Sequence, residues 1–130
     1  MLVKIVAPNR EILTADNVDE VYVPTSSGIV GILSDYTNYL ATLEIGEVKV
    51  RIGKEWQTII INGGFVQVVN NELMILADDA TKPEELVKAE IENAIGNAEQ
   101  KISGKLEAQE LIRLEKRLRY EKFKSKYVGV

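Results

Sequence analysis

The 130-residue chain is 45% apolar and contains neither cysteine nor histidine. Its length suits one modest domain or a small domain with an appendage, and the missing residue types exclude disulfides, thiolate or imidazole metal sites, and catalysis by cysteine or histidine. The net charge of −4 is uneven, −6 over residues 1–80 and +2 over residues 81–130, and neither part is basic enough to predict a nucleic acid as the main ligand.

The chain begins with a series of short predicted strands. Apolar and polar residues alternate along most of them, and turn signals such as Pro8-Asn9 and Gly53-Lys54 separate them. Gly31 interrupts one strand, as glycine does at a bulge or a close backbone approach. The predicted strands are Leu2–Ala7, Glu11–Ala15, Val18–Pro24, Gly28–Leu33, Tyr39–Leu43 and Glu47–Ile52.

The most apolar stretch, Trp56–Ala80, predicts three more strands. Asn62-Gly63-Gly64 and Asn70-Asn71 interrupt it, and both favour chain reversals because glycine and asparagine accept a positive φ at low cost. Ile59–Ile61 does not alternate with polar residues, so we expect that strand to be covered on both faces. The predicted strands are Thr58–Ile61, Phe65–Val69 and Glu72–Leu76.

The pattern changes from strand to helix near Thr81. Thr81, with Glu84 three residues later, predicts an N-cap with proline in the first helical turn. Apolar residues then recur at helical spacing, and Ser103-Gly104 predicts the end of this helix, with the glycine in the left-handed conformation. A second helix is predicted over roughly Leu106–Tyr127, and two helices joined by so short a loop run antiparallel.

Together these patterns predict a β + α fold. It consists of an N-terminal antiparallel β-sandwich or flattened barrel of about nine to ten short strands over residues 1–80, followed by a C-terminal antiparallel two-helix hairpin over residues 81–130. The apolar stripes of the two helices are narrow and rich in alanine, so we expect the hairpin to be weakly stabilised on its own.

Few residues outside the helices could carry chemistry. Asp78-Asp79 directly follows a buried strand and could be a metal or acid–base pair, but no third ligand accompanies it, and aspartates that stabilise a turn are commoner. The glycines at Gly28-x-x-Gly31 and Gly63-Gly64 do not match a phosphate-binding loop before a helix, so turn or bulge geometry explains them better. Tyr36 and Tyr39, in a polar loop, suit contacts with other proteins.

Four basic residues cluster on the second predicted helix: Arg113, Lys116, Arg117 and Arg119. Arg113 and Arg117 are four residues apart and share a face, where two guanidinium groups could hold a phosphate or the carboxylates of another protein. A solvated face paired with neighbouring glutamates explains the same pattern. The residues alone therefore predict a soluble, non-catalytic module whose function is contact with other proteins.

Five segments, in order along the chain, carry a resemblance to one protein family: Val3–Arg10, Val21–Leu33, Ile45–Arg51, Asn62–Phe65 and Asn70–Ala80. The second of them contains the pattern Thr25-x-x-Gly28-x-x-Gly31-Ile32-Leu33. In this ordered set of motifs the chain resembles the ε subunit of the rotary F-type ATP synthase, the counterpart of the mitochondrial δ subunit.

The resemblance implies a non-catalytic central-stalk subunit of a proton- or sodium-driven ATP synthase. The sandwich would bind the γ subunit and the ring of c subunits. The hairpin would be a mobile inhibitor of ATP hydrolysis that, when extended, brings the basic face of Arg113, Lys116, Arg117 and Arg119 to the catalytic α and β subunits. The subunit would lie peripherally on the cytoplasmic or plastid stromal face of the energy-coupling membrane without inserting into it, and without a nucleic acid partner.

One loop departs from the family pattern. A Pro-x-His-Ala-Pro run usually follows the Gly-Ile-Leu motif in this family and lies at the end of the sandwich that faces the c-ring. The matching residues here are Ser34, Asp35, Tyr36, Thr37 and Asn38. The resemblance implies a c-ring contact loop that combines these five residues with Gly28 and Gly31.

Some bacterial members bind ATP in the folded hairpin, through an Ile/Leu-Asp-x-x-Arg-Ala motif and two arginines of the last helix. Here Glu85 and Lys88 occupy the aspartate and arginine positions, and Arg113 and Arg117 match the arginine pair. Lysine lacks the guanidinium fork. The resemblance thus leaves ATP as a regulatory ligand that the chain could bind, and it implies no metal and no other cofactor.

One alternative function stays open from the sequence. A small-ligand-binding β-sandwich with a helical lid would need an apolar pocket with convergent polar groups. An enzyme would have to use carboxylates and lysines alone, and the sequence contains no such group of residues.

Overall fold

The computed structural model describes residues 1–129, which form two compact units divided between Lys82 and Pro83. The second unit contains a short 3-10 helix, Pro83–Glu85, and the helices α1 (Lys88–Ile102) and α2 (Ala108–Ser125). The predicted fold class, a β-sandwich followed by two helices, is confirmed. The first unit contains the strands β1 (Leu2–Ala7), β2 (Arg10–Ala15), β3 (Glu20–Thr25), β4 (Gly28–Leu33), β5 (Tyr39–Ile52), β6 (Glu55–Val69), β7 (Glu72–Ala77) and β8 (Ala80–Thr81).

All eight strands belong to one sheet that folds over into two layers. Their order is β2-β1-β7-β6-β5-β3-β4, and β8 pairs with β6. The first layer contains β1, β2 and β7, together with residues 39–43 of β5 and 64–69 of β6. The second layer contains β3, β4 and β8, together with the other halves of β5 and β6. The sequence predicts antiparallel pairs throughout, and among residues 1–129 the one exception is the parallel pair of β1 with β7.

The core between the layers consists of branched aliphatic side chains from alternate positions. Val21 and Val23 point inward as their alternation predicts. Ile60 is as fully buried as Ile59 and Ile61, although it points to the opposite face, which confirms that this strand is covered on both faces. The central members of the core are Val3, Ile5, Val66, Val68, Leu73 and Ile75 in the first layer and Val21, Val23, Ile32, Val48, Val50, Ile59 and Ile61 in the second.

β5 and β6 form one long two-stranded ribbon that contributes to both layers. The predicted reversal at Asn62–Gly64 is wrong, and so is the separation of Tyr39–Leu43 from Glu47–Ile52, because the two strands stay paired on both sides of these segments. Four predicted strands therefore merge into two, and β8 is too short to be seen in the sequence pattern. The described residues form eight strands instead of nine to ten.

A paired bulge in the middle of the ribbon explains this error. After the pair of Leu43 with Gly64, the regular pairing omits Glu44 and Gly63 and then resumes. One extra residue in each strand shifts the phase of alternation, so that inward residues of β5 have odd numbers before the bulge and even numbers after it. In a sequence, such a change of phase is typical of a strand end.

Gly64 is required at the bulge for two reasons. Its φ of +131° is a conformation that residues with a side chain rarely adopt. The backbone of β7 also approaches so closely that a Cβ on Gly64 would overlap the carbonyl oxygen of Leu76 and lie 2.8 Å from Cα of Ala77. The second predicted turn, Asn70-Asn71, is confirmed, with φ values of +49° and +63° that suit a tight hairpin between β6 and β7.

The predicted start and end signals of the first helix are wrong. Thr81 belongs to β8 and pairs with Ile60 of β6. Helix α1 therefore begins only at Lys88, and the residue before it, Val87, makes no side-chain capping hydrogen bond. Gly104 does not adopt the left-handed conformation, and α1 ends through Ser103 with a φ of −71°. The two helices contact each other, and no helix in residues 1–129 is both long and apolar enough to span a bilayer.

Replacing Gly64 by alanine should lower the free energy of unfolding by about 3 kcal/mol or more, because the new methyl group would overlap the Leu76 carbonyl and the φ is unfavourable. Gly53→Ala is the matched control, since Gly53 has a φ of +61° but open space around its Cβ position. For that variant we expect a loss of about 1 kcal/mol. Urea unfolding of the full chain measures both, and equal losses would contradict the close approach of β7.

Candidate functional site

One end of the sandwich brings together the loop of residues 34–38 and the Asn70-Asn71 turn. The loop joins β4 to β5, and four of its residues are exposed, whereas Tyr36 is half-buried and packs against the core. The structure thus places the five loop residues of the predicted c-ring contact next to the turn between β6 and β7. These residues are Ser34, Asp35, Tyr36, Thr37 and Asn38.

Three contacts hold this loop in place. Asp35 has a left-handed φ of +62°, and its N–H donates a 2.7 Å hydrogen bond to Oδ1 of Asn71. The N–H of Tyr36 donates to the carbonyl oxygen of Leu33 at 3.2 Å. The rings of Tyr36 and Tyr39 meet edge to face with centroids 5.8 Å apart. Sequence reasoning missed Asn71, because no local pattern reveals a partner 36 residues away.

Gly28 and Gly31 lie apart from this loop. Gly28 is at the turn between β3 and β4 and has a φ of +118°. It is separated from Leu33 by the length of β4, roughly 16 Å at 3.3 Å per residue. Gly31 lies within β4, where a Cβ would be 2.8 Å from Cε1 of Tyr22. The seven residues of the predicted contact loop are therefore one loop and two separate glycines with structural roles.

A cluster around Arg51 ties β3 to the β5–β6 ribbon. The guanidinium of Arg51 lies 6.0 Å from the ring centroid of Trp56, and that ring lies 6.0 Å from the ring of Tyr22. Arg51 also bonds to Glu20 at 3.2 Å and faces Asp19 at 3.6 Å. The hydrogen bond to Glu20 is the main cause that raises the pKa of Arg51 above its ordinary value. Trp56 thus contributes to a structural contact between strands.

The outward face of the first layer carries exposed apolar side chains that the sequence analysis missed. Leu40 is 71% exposed and Phe65 is 53% exposed. The signal was present in the sequence, because strands with a core face at Val66 and Ile75 must turn the residues next to them outward. We call this surface the apolar face, and its members are Leu40, Phe65, Val69, Met74 and Leu76.

Two shallow grooves cross the apolar face, and both are lined by Gln67 and Val69. The first, of about 370 Å³, also includes polar groups such as Lys4 and Glu72. The second, of about 360 Å³, reaches Asn38 and therefore connects the apolar face with the loop of residues 34–38. The loop and the apolar face form a continuous surface of the first unit.

The four residues predicted to bind a nucleotide are all exposed in the second unit: Glu85, Lys88, Arg113 and Arg117. Only Arg117 lines the cleft of about 150 Å³ between α1 and α2, where its neighbours include Asn97 and Lys101. This cleft is smaller than ordinary small-molecule pockets, which begin at about 300 Å³. Nucleotide binding through these residues stays a prediction.

The basic residues of α2 do not all share one side. At 100° per residue, Arg113, Lys116 and Arg117 fall within about 100° of one another, whereas Arg119 lies about 120° from Arg113. The three arginines are exposed and Lys116 is partly buried. The basic face therefore consists of three residues, with Arg119 at its border.

Asp78 and Asp79 support the local backbone, as the commoner interpretation of this pair predicts. Oδ1 of Asp79 accepts a 2.9 Å hydrogen bond from the N–H of Ala80, and the carbonyl oxygen of Asp79 accepts one from Asn62 at 2.9 Å. The N–H of Asp78 donates to the carbonyl oxygen of Gly63 at 3.2 Å. Within residues 1–129, no group of three metal-binding side chains occurs.

Comparison with known proteins decides the family. A sequence model of the β-sandwich domain of ATP synthase delta/epsilon chains matches residues 1–83, which is more than half of the chain. The chain belongs to the ATP synthase delta/epsilon family. A chloroplastic ATP synthase epsilon chain from Marchantia polymorpha is 36% identical to it, and the match covers 79% of this chain and 84% of that protein. The resemblance stated from the sequence motifs is confirmed.

Solved structures share the fold of this epsilon-family chain. A chain in the mitochondrial ATP synthase of Euglena gracilis, from an OSCP/F1/c-ring structure, matches with a TM-score of 0.74 and 21% identity over 92% of this chain and 76% of that one. A chain in the central stalk and c-ring structure of the Tetrahymena thermophila mitochondrial ATP synthase matches with a TM-score of 0.63 and 18% identity over 95% of each chain. At these identities the likeness concerns the fold.

Replacing Asn71 by glycine should loosen the loop of residues 34–38, because it removes the acceptor of the Asp35 N–H while still allowing a positive φ. We expect hydrogen exchange of the Asp35 amide to become about fivefold faster, which corresponds to about 1 kcal/mol for one hydrogen bond. Asn70→Gly is the control, since it changes the same turn and leaves Asn71 in place. Equal acceleration in both variants would mean that the Asn71 side chain does not hold the loop.

Proposed function

We propose that the chain is a non-catalytic central-stalk subunit of a proton- or sodium-driven ATP synthase, which couples the γ subunit to the c-ring and inhibits ATP hydrolysis through a mobile helical unit. Membership of the delta/epsilon family supports a role in this complex. The observation that carries the proposal further is the apolar face, an exposed apolar surface that continues into the loop of residues 34–38. The subunit lies peripherally on the cytoplasmic or plastid stromal face of the membrane.

The apolar face supports γ as one partner. On soluble monomers the largest apolar patches, about 300–600 Å², are often interaction sites. Phe65 and Leu76 lie directly opposite each other on adjacent strands, and Gln67 lies between Leu40 and Met74 in the next row. This surface is built on paired strands, so its shape is fixed before binding. It suits a partner that remains bound while both proteins turn together.

The loop of residues 34–38 supports a second, adjacent contact with the c-ring. Its exposed side chains are polar, in contrast to the apolar face, and its backbone is held at Asp35 and Tyr36. Asn38 lines the groove that leads to Leu40. Two surfaces of different chemistry on one unit allow two partners to bind at once, which a coupling subunit requires.

The helical unit supports a regulatory role. Few apolar side chains of α1 and α2 are buried, and those that are comprise Ile91, Ala98 and Tyr120. A small apolar contact leaves only a few kcal/mol between two arrangements of the helices, a difference that a ligand or partner can reverse. In an extended arrangement, the exposed guanidinium groups of Arg113 and Arg117 would pair with acidic side chains of a catalytic subunit.

Introducing a charge into the apolar face should weaken binding of the γ subunit from the same organism. We expect Phe65→Glu to reduce affinity by at least about tenfold, because burying an unpaired carboxylate opposes docking. Ile112→Glu, at another exposed apolar position, in α2, is the control and should bind γ normally. Calorimetric titration with full-length chains measures both affinities. Unchanged binding by Phe65→Glu would exclude the apolar face as the γ site.

Removing the two aligned guanidinium groups of α2 should release the inhibition of ATP hydrolysis without weakening assembly. We expect the full chain with Arg113→Ala and Arg117→Ala to bind γ normally but to inhibit the reconstituted soluble ATPase at least about fivefold less, since each lost charged pair costs about 1 kcal/mol or more. A chain with Lys49→Ala and Lys54→Ala, which removes the same charge from the sandwich, should inhibit normally. Full inhibition by the arginine double variant would contradict the proposed contact.

A further inference from the structure

Strand β4 forms an open edge of the sheet and carries no charge. It pairs with β3, and within residues 1–129 no strand lies on its other side. Its sequence, Gly-Ile-Val-Gly-Ile-Leu, contains neither a charged residue nor proline. These are the residues with which proteins usually protect an edge strand from pairing with another chain. β4 is therefore a suitable site for the addition of a further strand.

The opposite edge of the sheet is protected in the usual way. β2 begins with the charged residues Arg10 and Glu11. The pairing of β1 with β2 also contains an irregularity between Ile5 and Val6, which disturbs the regular backbone pattern near this edge. Of the two ends of the strand order, β4 is therefore the one that lacks this protection.

The turn before β4 determines which backbone groups face the open edge. β3 and β4 are joined by two residues, so the pair of Thr25 with Gly28 that closes the hairpin is hydrogen-bonded. Hydrogen-bonded and non-bonded pairs then alternate along the two strands. The N–H and C=O groups of Ile29, Gly31 and Leu33 accordingly point away from β3, toward the edge.

The same three residues also form the outward side of β4. Ile29 is 79% exposed and Leu33 is 53% exposed, and both are apolar. Gly31 lies between them, and the ring of Tyr22 occupies the space that a side chain at Gly31 would need. The edge thus offers a row of backbone groups that no strand pairs with, and an exposed apolar side chain on either side of a glycine. The carbonyl oxygen of Leu33 already accepts from the N–H of Tyr36 and has a second lone pair for a further bond.

We propose that two copies of the chain pair through β4, antiparallel and about a two-fold axis at Gly31. In this register Gly31 faces Gly31 of the second copy, and Ile29 faces its Leu33. In both kinds of pair, the two residues meet through backbone N–H and C=O groups that point to the open edge, so they can hydrogen-bond to each other. Both exposed apolar side chains of each copy then gain an apolar partner, which is the favoured cross-strand arrangement.

A second copy fits this edge better than an arbitrary strand, because the register is self-complementary. Asp35, the first charged residue after β4, falls opposite Ser27 of the second copy, so no like charges meet. The interface is a single pair of six-residue strands, which places it among small, transient contacts. We therefore expect a dissociation constant on the order of 10–100 µM for the free chain. This inference does not depend on the proposed function.

Sedimentation equilibrium of the full chain tests the pairing against the other exposed apolar surface. We expect the full chain to associate reversibly into dimers. Ile29→Lys should raise the dissociation constant of the dimer at least about tenfold, because an edge lysine opposes strand addition. Leu40→Lys, on the apolar face, should leave it unchanged. A chain that is monomeric up to about 500 µM, above the expected dissociation constant, would overturn the proposal. So would an association that Leu40→Lys weakens as much as Ile29→Lys does. Circular dichroism checks that both variants are folded.

Cross-linking tests the register itself, since the chain has no cysteine of its own. Directly opposed, hydrogen-bonded residues have Cα atoms about 5.5 Å apart, within the range that a disulfide spans. An equimolar mixture of Ile29→Cys and Leu33→Cys chains should form a mixed disulfide dimer under a mild oxidant, whereas either variant alone should cross-link no faster than Leu40→Cys. Equal cross-linking by all the samples would overturn the register.

Discussion

The continuous pairing of β5 with β6 is the contact on which the sandwich depends. These two strands stay hydrogen-bonded from Tyr39 to Ile52 except at the paired bulge, and every other strand is attached to them directly or through one or two intervening strands. Each fully buried valine or isoleucine contributes about 1.5–3 kcal/mol to stability when it leaves water. That gain requires two layers that face each other, and the bulge at Glu44 and Gly63 allows one ribbon to supply both.

The bulge also separates what the sequence could predict from what it could not. Period-2 alternation locates the strands on either side of it, and the asparagine pair at Asn70-Asn71 predicts the tight turn, because both signals are local. The phase shift at Gly63 has the same local signature as a chain reversal. A bulge, after which the strand continues, differs here from a turn, which ends the strand, only in the close approach of β7, which leaves no space for a side chain at Gly64. This contact is tertiary, so the local sequence does not reveal it.

In the candidate site, too, local signals were predictable from the sequence and tertiary contacts were not. Motif positions place the loop of residues 34–38, and spacing places Arg113 and Arg117 on one side of α2. The side chain of Asn71 could not be assigned to this loop, because its contact with Asp35 exists only after the sheet has folded. The apolar face was predictable in principle from outward positions such as Phe65, yet an outward apolar residue becomes informative only when its neighbours across the strands are also apolar. Thr81 was misassigned as a helix cap because its pairing in β8 overrides a local signal.

The length of the β5–β6 ribbon has a mechanical consequence. When a load acts along two paired strands, their hydrogen bonds are strained in parallel and share the force, whereas a load that peels the strands apart breaks the bonds one after another. The ribbon runs from Tyr39, beside the loop of residues 34–38, through the bulge to the turn at Gly53. A force along the ribbon therefore loads its whole ladder of hydrogen bonds in shear, so this unit resists stretching in that direction more strongly than it resists peeling of the two strands.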